Sequence, residues 1–362
     1  MPDAPFAKNS KNSGRAVLWM GRNWVLLFLL LEFIAFTVLG TRFLTLENIQ
    51  NIFVACTVVL LLGMGETFVI ITGGIDLSVG FVMGFGAVIC AKFMVILQAA
   101  GLPQAASIPL AALICLIIGL IPGWVNGTLV ARLKVPPFLA TFGMYGIAYG
   151  FSEIISNNTP ISGLPPAAGV IGNEYLLYIV PRKMVSFLVR PQNITRLEMR
   201  SMLAIIPIIV VIAFIVVAVF SFVLRRTRFG RHTYAIGGSK DAALRSGINV
   251  TRHLTLIYMI SSFFASLSGV LYVLKYVTGR ADAGSARMLD AVVAVVIGGA
   301  SLYGGTGTVK GTIIGALIIA TLETGMVNLS IPFHNRYIVI GGILVFAVVI
   351  DQFFPELIGR SN

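Results

Sequence analysis

Hydrophobic residues occur along this chain in long runs, separated by short clusters of polar and charged residues. A helix of about 20 apolar residues spans the hydrocarbon core of a bilayer. Runs such as 205–220 are apolar on every face, unlike the alternating strands of an outer-membrane barrel. The pattern predicts an all-α polytopic membrane protein of about ten transmembrane helices. The approximate bounds are 24–40, 49–72, 79–98, 107–131, 138–156, 202–224, 253–275, 288–303, 308–329 and 336–354.

The composition agrees with this pattern. Hydrophobic residues make up 57% of the chain and charged residues only 11%, whereas about a quarter of a soluble domain is charged. The net charge of +12 comes from cations beside the apolar runs, so it indicates membrane topology rather than nucleic-acid binding. Cys56, Cys90 and Cys115 lie inside apolar runs without CxxC spacing and are expected to be buried thiols. The three scattered histidines predict no metal site.

The distribution of lysine and arginine favours an orientation with both termini in the cytoplasm, because more than half of them then lie inside. Residues 157–201 would be external although they carry five cations. They include an amphipathic stretch, Tyr175 to Val189, that we expect to form an interfacial helix. If that stretch crosses the membrane, every later orientation reverses. The resulting division is a cytoplasmic tail 1–23, a first half 24–156, an external loop 157–201, a second half 202–354 with a cytoplasmic loop 225–252, and a tail 355–362.

Two glycine-rich stretches share the pattern GGxxLxxG. They run from Gly73 to Gly80 and from Gly298 to Gly305, and each ends one apolar run and opens the next. Transporters are often built from internal repeats with the central path between them. The echo therefore favours two five-helix pseudo-repeats, with chance similarity in a glycine-rich chain as the alternative. Pairs of GxxxG type are interpreted as close helix packing inside one subunit, with dimerisation as the second reading: Gly80/Gly84, Gly123/Gly127, Gly146/Gly150 and Gly311/Gly315.

The first glycine-rich stretch follows a run that contains Glu66 and includes Asp76 and Ser78. Carboxylates at membrane depth are costly to bury and normally face a polar cavity or a partner. The paired glycines break the helix, and non-helical backbone is tolerated at that depth only where protein or a cavity covers it. A structural role is equally open, with Asp76 or Ser78 capping the next helix and Glu66 pairing with a neighbouring helix.

The segment ETFVIITGGIDLSVG, residues 66–80, resembles the signature of the ribose/xylose/galactose-type permeases, the membrane subunits of bacterial ABC importers for monosaccharides. Segments 135–143, 227–248 and 298–315 agree with the same family in order along the chain. The chain departs from the family in having Ser239 in place of the usual Asn and a longer external segment at 157–201. The second departure bears on how an external binding protein docks.

The resemblance implies a ten-helix permease that works by alternating access, with the path between two permease subunits in the bacterial inner membrane. The path residues it implies are Glu66, Thr72, Gly73, Gly74, Asp76, Ser78, Phe138 and Thr141. It also assigns the loop 225–252 to contact with an ATPase. The contact residues are Gly230, Arg231, Gly238, Asp241, Ala242, Ala243 and Gly247. The residues themselves support this assignment, because Ser239 can cap a helix that begins near Asp241.

The partners that follow are an ABC ATPase, a periplasmic or lipid-anchored substrate-binding protein and a second permease subunit, expected to be an identical copy. No cofactor is expected in this chain, and ATP and Mg would be used by the ATPase. Lys310-Gly311-Thr312 has the wrong order for a phosphate-binding loop, so the chain is not expected to be an enzyme. Two alternatives stay open: an importer of the same architecture for nucleosides or branched-chain amino acids, and a proton-driven secondary transporter that uses Glu66 and Asp76 as a relay.

Overall fold

The computed structural model describes residues 24–349 apart from 192, 193, 333, 344, 347 and 348. Both predicted tails and the end of the last predicted run lie outside the described residues. Helices dominate, and one small sheet interrupts them. The elements are α1 Trp24–Leu39, α2 Leu46–Ile71, α3 Val79–Ala99, α4 Gln104–Ile118, α5 Leu120–Ala131, α6 Pro137–Ser156, α7 Pro166–Asn173, β1 Tyr175–Val180, β2 Met184–Phe187, α8 Arg196–Ser201, β3 Leu203–Pro207, α9 Ile208–Arg226, α10 Arg228–Gly238, α11 Lys240–Arg245, α12 Val250–Tyr276, α13 Arg287–Ile297 and α14 Val309–Asn328. Residues 335–343 are also helical.

Seven helices in the described part of the chain are long and apolar enough to cross a membrane, namely α2, α3, α4 with α5, α6, α9, α12 and α14. This confirms a polytopic helical membrane protein. The full-length helix predicted for 288–303 is wrong, because α13 has only 11 residues and ends before Gly298. Gly299 follows with φ 87°, a left-handed conformation that favours glycine and ends the helix.

Helices α2 and α12 form the centre of the bundle. Helix α12 packs against α2, α3 and α5, while α13 and α14 pack on the other side of α2. Glycines let these backbones approach closely: a Cβ on Gly123 would lie 2.3 Å from the carbonyl oxygen of Tyr258, and one on Gly127 would lie 2.5 Å from Cα of Thr255. Small residues at such crossings drive helix packing in membranes through van der Waals contact. Cysteine thiols fill part of this interior, since all three are free and buried.

The packing interpretation of the GxxxG pairs is confirmed for three of the four. Gly80/Gly84, Gly123/Gly127 and Gly311/Gly315 all face backbone atoms of a neighbouring segment. It is wrong for Gly146 and Gly150, because no atom lies within 4 Å of a Cβ built on either residue. These two glycines lie on the open face of α6, where the side chains of Phe142 and Ile147 are also exposed.

Residues 175–207 contain an antiparallel sheet with strand order β2-β1-β3, in which Tyr178 lies opposite Ser186 on one side and Ala204 on the other. The helix expected over Tyr175 to Val189 is therefore wrong. Strand-forming residues fill β1, and Arg182, with φ 62°, lies in the turn to β2. Strand β3 also shortens the run predicted for 202–224, so that helix begins only at Ile208.

Tyr178 fixes β1 against the end of α7. Its hydroxyl donates a hydrogen bond to Glu174, and burial together with this bond raises the pKa of Tyr178 to about 12. The Ile208 N–H donates to the Glu174 carbonyl at 2.9 Å, so the start of α9 is held at the same point. We call this end of the bundle, which carries β1–β3, the sheet end. The opposite end, which carries α10 and α11, is the α10 end.

Four charged side chains tie α13, α14 and the helical residues 335–343 together near the sheet end. Arg287 Nη2 lies 2.8 Å from Glu323 Oε1, and Arg336 Nη1 lies 3.0 Å from the same oxygen. Both guanidinium groups also contact Asp290. The two positive and two negative charges balance, which is the condition under which buried ions are tolerated. This ion network was not predicted from the sequence, although charges inside apolar runs are a signal for it.

Substitution of Gly123 by Ala should destabilise the protein, because the added methyl group would overlap the Tyr258 carbonyl oxygen. Overpacking of this kind costs about 1–3 kcal/mol. The matched control is Gly341→Ala in the helical residues 335–343, where the space is open and the better helix propensity of alanine gives a gain of up to about 1 kcal/mol. Thermal unfolding of the purified variants in detergent measures both effects. Equal melting temperatures for the two variants would contradict the helix packing described here.

Candidate functional site

A buried polar cluster lies near the α10 end, where α2, α3, α5, α6 and α12 meet, and Asp76 is its centre. Asp76 Oδ1 accepts hydrogen bonds from the Ser78 N–H, at 3.0 Å, and from the Ser78 hydroxyl. Asp76 Oδ2 accepts from the Ser261 hydroxyl at 2.8 Å. All three side chains are fully buried. Three donors therefore compensate a carboxylate that has lost its contact with solvent.

Asp76 reaches the interior because the chain turns at Gly73, two residues after α2 ends at Ile71. Gly73 has φ 76°, and the N–H groups of Gly73 and Gly74 turn back to the carbonyls of Ile70 and Val69 at 2.9 and 3.1 Å. Residues 74–76 then run without regular structure through the protein interior. Buried backbone of this kind needs hydrogen-bond partners from outside the segment.

Thr141 on α6 supplies those partners. Its hydroxyl oxygen accepts from the Leu77 N–H at 3.1 Å and lies 3.3 Å from the Ile75 carbonyl oxygen. The Thr141 side chain is fully buried. Helix α6 is thus fastened to the connection between α2 and α3, and a displacement of either would be felt by the other.

Glu66 and Asn126 complete the cluster. Glu66 Oε2 accepts from the Asp76 N–H at 3.4 Å, and Asn126 Nδ2 donates to Ser78 Oγ at 3.1 Å. A Cβ on Gly74 would lie 2.7 Å from the Tyr258 hydroxyl, so only glycine fits beside that ring. The cluster thereby joins two carboxylates, an amide and several hydroxyls into one enclosed group.

The structure brings together most of the path residues expected from the sequence. Hydrogen bonds join Glu66, Asp76 and Ser78, Thr141 bonds to the backbone of the same segment at Leu77, and residues 72–74 form the adjoining turn. Phe138 lies apart from them. Its ring is 55% exposed and stacks on Phe142 with a centroid distance of 5.8 Å. The cluster is enclosed in this conformation, so its role along a path stays a prediction.

The capping alternative is only partly met. Ser78 stands at the N-cap position of α3 but makes no side-chain cap bond, since its hydroxyl donates to Asp76. The cluster also contains Asn126, Tyr258 and Ser261, which were not predicted from the sequence. Their signal was available, because each is a polar residue inside an otherwise apolar run.

The second group of candidate residues lies on α10 and α11. Arg231, Gly238, Asp241, Ala242 and Gly247 are exposed. Ser239 caps α11 by accepting from the Ala242 N–H at 3.2 Å, which confirms the cap expected from the sequence.

The two remaining candidates of this group are buried and hold the helices in place. Gly230 lies directly against the Leu224 carbonyl, and Ala243 packs with Ile236 and Leu254. The five exposed residues therefore lie on one surface, and the packed residues Gly230 and Ala243 lie beneath it.

Helix α10 contacts both glycine-rich breaks. A Cβ on Gly237 would lie 1.9 Å from the Ile71 carbonyl oxygen, and that oxygen accepts from the Gly305 N–H at 2.8 Å. The Tyr234 hydroxyl donates to the Gly307 carbonyl at 2.7 Å. Gly304 lies against Gly73, so the two GGxxLxxG stretches meet here. Helix α10 therefore contacts the end of α2 five residues before Asp76.

Asp76→Leu should destabilise the protein by about 3 kcal/mol or more, because it leaves three buried donors unsatisfied. Asp76→Asn should cost less, since the amide oxygen still accepts a hydrogen bond. Asp241→Asn is the exposed control and should stay within about 0.5 kcal/mol of the wild type. Thermal unfolding of the three purified variants gives the order, and an Asp76→Leu variant as stable as the control would refute the cluster.

Several membrane transport proteins are similar to this chain over most of its length. The fructose import permease protein FrcC of Rhizobium meliloti is 34% identical over 92% of this chain and 85% of its own length. The galactose/methyl galactoside import permease protein MglC of Salmonella typhimurium is 32% identical, covering 94% and 97% of the two chains, and the ribose import permease protein RbsC of Bacillus subtilis is 34% identical, covering 87% and 88%. No solved structure matches the chain significantly.

These relatives confirm the resemblance to sugar permeases seen in residues 66–80. Residues 48–348 match the family model described as "Branched-chain amino acid transport system / permease component". The matched range contains both the Asp76 cluster and the α10–α11 surface. The chain therefore belongs to this family of transport-system permeases.

Proposed function

We propose that this chain is the membrane-spanning permease subunit of an ATP-driven ABC importer for a monosaccharide. The observation that carries the proposal is the set of relatives aligned over nearly the whole chain, which are named for the import or transport of fructose, galactose, ribose, xylose and allose. The family description names branched-chain amino acids, so leucine is the competing substrate to test.

The topology we propose has ten spans and both termini in the cytoplasm. Its support is that α1, α13 and residues 335–343 add three shorter segments to the seven long spans. The α10 end is then cytoplasmic, which places the arginines of 225–231 inside, and the sheet end is external. The two halves 24–156 and 202–354 would be related units, which the shared GGxxLxxG pattern supports.

The exposed surface of α10 and α11 would dock on a separate ATPase subunit, which would bind and hydrolyse ATP with Mg. Movement of this surface would displace the end of α2 and the 298–308 connection, because Gly237 packs against Ile71 and the Tyr234 hydroxyl donates to Gly307. The Asp76 segment would transmit the displacement to α6 through Thr141. These contacts provide a route from ATP hydrolysis to alternating access, with the path shaped rather than directly lined by the buried carboxylates.

A second copy of the chain would pack against the open face of α6. Gly146 and Gly150 lie on that face, and they allow another helix to approach closely. Phe138 and Phe142 are exposed on the same face, and they would lie beside a path between the two subunits at its cytoplasmic end. A substrate-binding protein would deliver the sugar at the sheet end.

The proposed topology can be tested by labelling single cysteines from outside intact cells, after replacement of the three native cysteines. Ser162→Cys should react with a membrane-impermeant maleimide, and Lys240→Cys should react only after permeabilisation, because both positions are exposed but at opposite ends of the bundle. Labelling of position 240 but not of position 162 in intact cells would reverse the orientation.

Coupling can be tested with Arg231→Glu and Asp241→Trp, which alter the proposed ATPase contact without touching the core. Both should reduce ATP-dependent sugar uptake at least about tenfold and weaken co-purification of the ATPase, since loss of about 1.4 kcal/mol at the contact gives a factor of ten. Arg182→Glu is the control for assembly, because Arg182 is exposed at the sheet end, away from α10 and α11, and should leave co-purification of the ATPase unchanged.

The uptake assay uses proteoliposomes with permease, ATPase and binding protein, supplied with labelled monosaccharides or leucine. Wild-type uptake should require ATP and persist without a proton gradient. Uptake that follows the gradient in the absence of ATP would indicate a secondary transporter, and uptake of leucine alone would assign the substrate to the family description instead. Normal uptake in both coupling variants would place the ATPase contact elsewhere.

A further inference from the structure

A cavity of about 300 Å³ opens at the sheet end, between α2, α9, α12, α13 and α14. It lies at the opposite end of α2 from the Asp76 cluster, and its lining includes no member of that cluster. Its volume is at the lower end of the range of about 300–1,000 Å³ for small-molecule sites, so it suits a compact ligand.

The cavity combines apolar and aromatic walls with polar groups. Val54, Ala55 and Leu271 form apolar wall. Tyr272 and Tyr276 stand together at a ring-centroid distance of 4.8 Å. Such a mixture of flat apolar surface and a few polar groups is typical of sites that orient a small ligand.

The charged groups in the lining already have partners. Arg287 binds Glu323 through two parallel hydrogen bonds as part of the neutral ion network. The Lys275 ammonium donates to Asn173 Oδ1 at 2.8 Å. A free anion would have to compete with these bonds, so the cavity is not arranged to capture a phosphate or a carboxylate.

Three polar side chains line the cavity and make no hydrogen bond to other groups of the described part of the chain, namely the half-buried Tyr272 and the exposed Asn51 and Tyr276, so their polar atoms are accessible to a ligand. An amide and two hydroxyls provide donors and acceptors in equal measure. Asn48 and the carboxylate of Glu323 add further polar atoms at the wall. A ligand that fits must therefore be neutral, must both donate and accept hydrogen bonds, and must present an apolar face to the tyrosine rings.

A sugar ring meets all three requirements, because its hydroxyls donate and accept while its C–H groups form an apolar face. We propose that this cavity binds a monosaccharide inside one permease subunit, at the end of the bundle where the binding protein would deliver the sugar. The proposal rests on the function and topology proposed above and adds a binding site to them. Asn173, on α7, links the cavity through Lys275 to the segment that leads into the sheet, where the sugar would be delivered.

The site can be probed by the reactivity of a cysteine introduced at position 51 in the permease–ATPase complex, on a background without native cysteines. Free imported sugar should slow the reaction of Asn51→Cys with a small maleimide at least about fivefold at saturation. Ser285→Cys, exposed at the same end but outside the cavity, should react at an unchanged rate. The probes are D-ribose, D-xylose, D-galactose and D-fructose, with L-leucine as the negative control.

Transport variants give a second measurement. Asn51→Leu and Tyr276→Leu should lower the uptake rate at saturating loaded binding protein at least about fivefold, while basal ATP hydrolysis stays at the wild-type rate. Gln98→Leu is the matched amide control, since Gln98 is near the sheet end of α3 and outside the cavity. Its uptake should equal that of the wild type.

The outcomes separate this proposal from the function on which it rests. A wild-type complex that imports none of the four sugars overturns both. Normal import with no sugar protection of the Asn51→Cys variant, or with equal protection by leucine, overturns the cavity proposal and leaves the permease function intact. Protection that depends on phosphatidylglycerol in the vesicles rather than on sugar would identify a lipid headgroup as the occupant and overturns it as well.

Discussion

The burial of one carboxylate, that of Asp76, governs the arrangement of the helices around it. An ionisable group in the interior of a membrane protein must be met by donors or it destabilises the fold. The Ser78 and Ser261 groups meet this requirement only if α3 and α12 both approach the connection that follows α2. The backbone of that connection needs Thr141 in addition, which brings α6 to the same place. Four helices are thus positioned by the hydrogen-bond needs of a few residues.

Direct contacts also join the α10–α11 surface to the two glycine-rich connections inside the bundle. Helix α10 lies against Ile71 with no intervening side chain, because Gly237 has none. The Tyr234 bond to Gly307 adds the second glycine-rich connection to the same support. Glycine at these positions therefore allows direct backbone contact between α10 and the end of α2, in addition to the turn itself.

The sequence predicted the elements whose signal is local. Hydropathy predicted the long spans. Ser239 predicted the start of α11, because a helix cap depends only on neighbouring residues. Predictions failed where the outcome depends on distant partners. The stretch after Glu174 has the apolar content of an interfacial helix, but it becomes a strand because β3 pairs with it. Gly146 and Gly150 have the same spacing as the packed pairs, and only the tertiary structure shows that their face is open.

The residues of the candidate site also fall into two groups, those with a local sequence signal and those that depend on distant partners. The motif at 66–80 identified Glu66, Asp76 and Ser78, whereas Asn126 and Ser261 enter the cluster through the packing of α5 and α12. Spacing along the sequence cannot reveal which isolated polar residue meets which carboxylate. The ion pair of Arg287 with Glu323, which holds α13 to α14, was not predicted because the two residues are far apart in the sequence.

Strand β3 leads directly into α9, and this junction has a consequence for the depth of that helix in the bilayer. Helix α9 carries no charge from Ile208 to Leu224, and its one polar side chain there is Ser221, so little in that stretch fixes its depth in the lipid. Pairing of β3 with β1 holds its first residue, and in the proposed topology Arg225 and Arg226 would anchor its last turn at the opposite headgroups. A helix held at both ends cannot relieve a change in membrane thickness by sliding. The surrounding lipid must then deform instead, which makes the thickness of the host membrane a physical parameter of the protein.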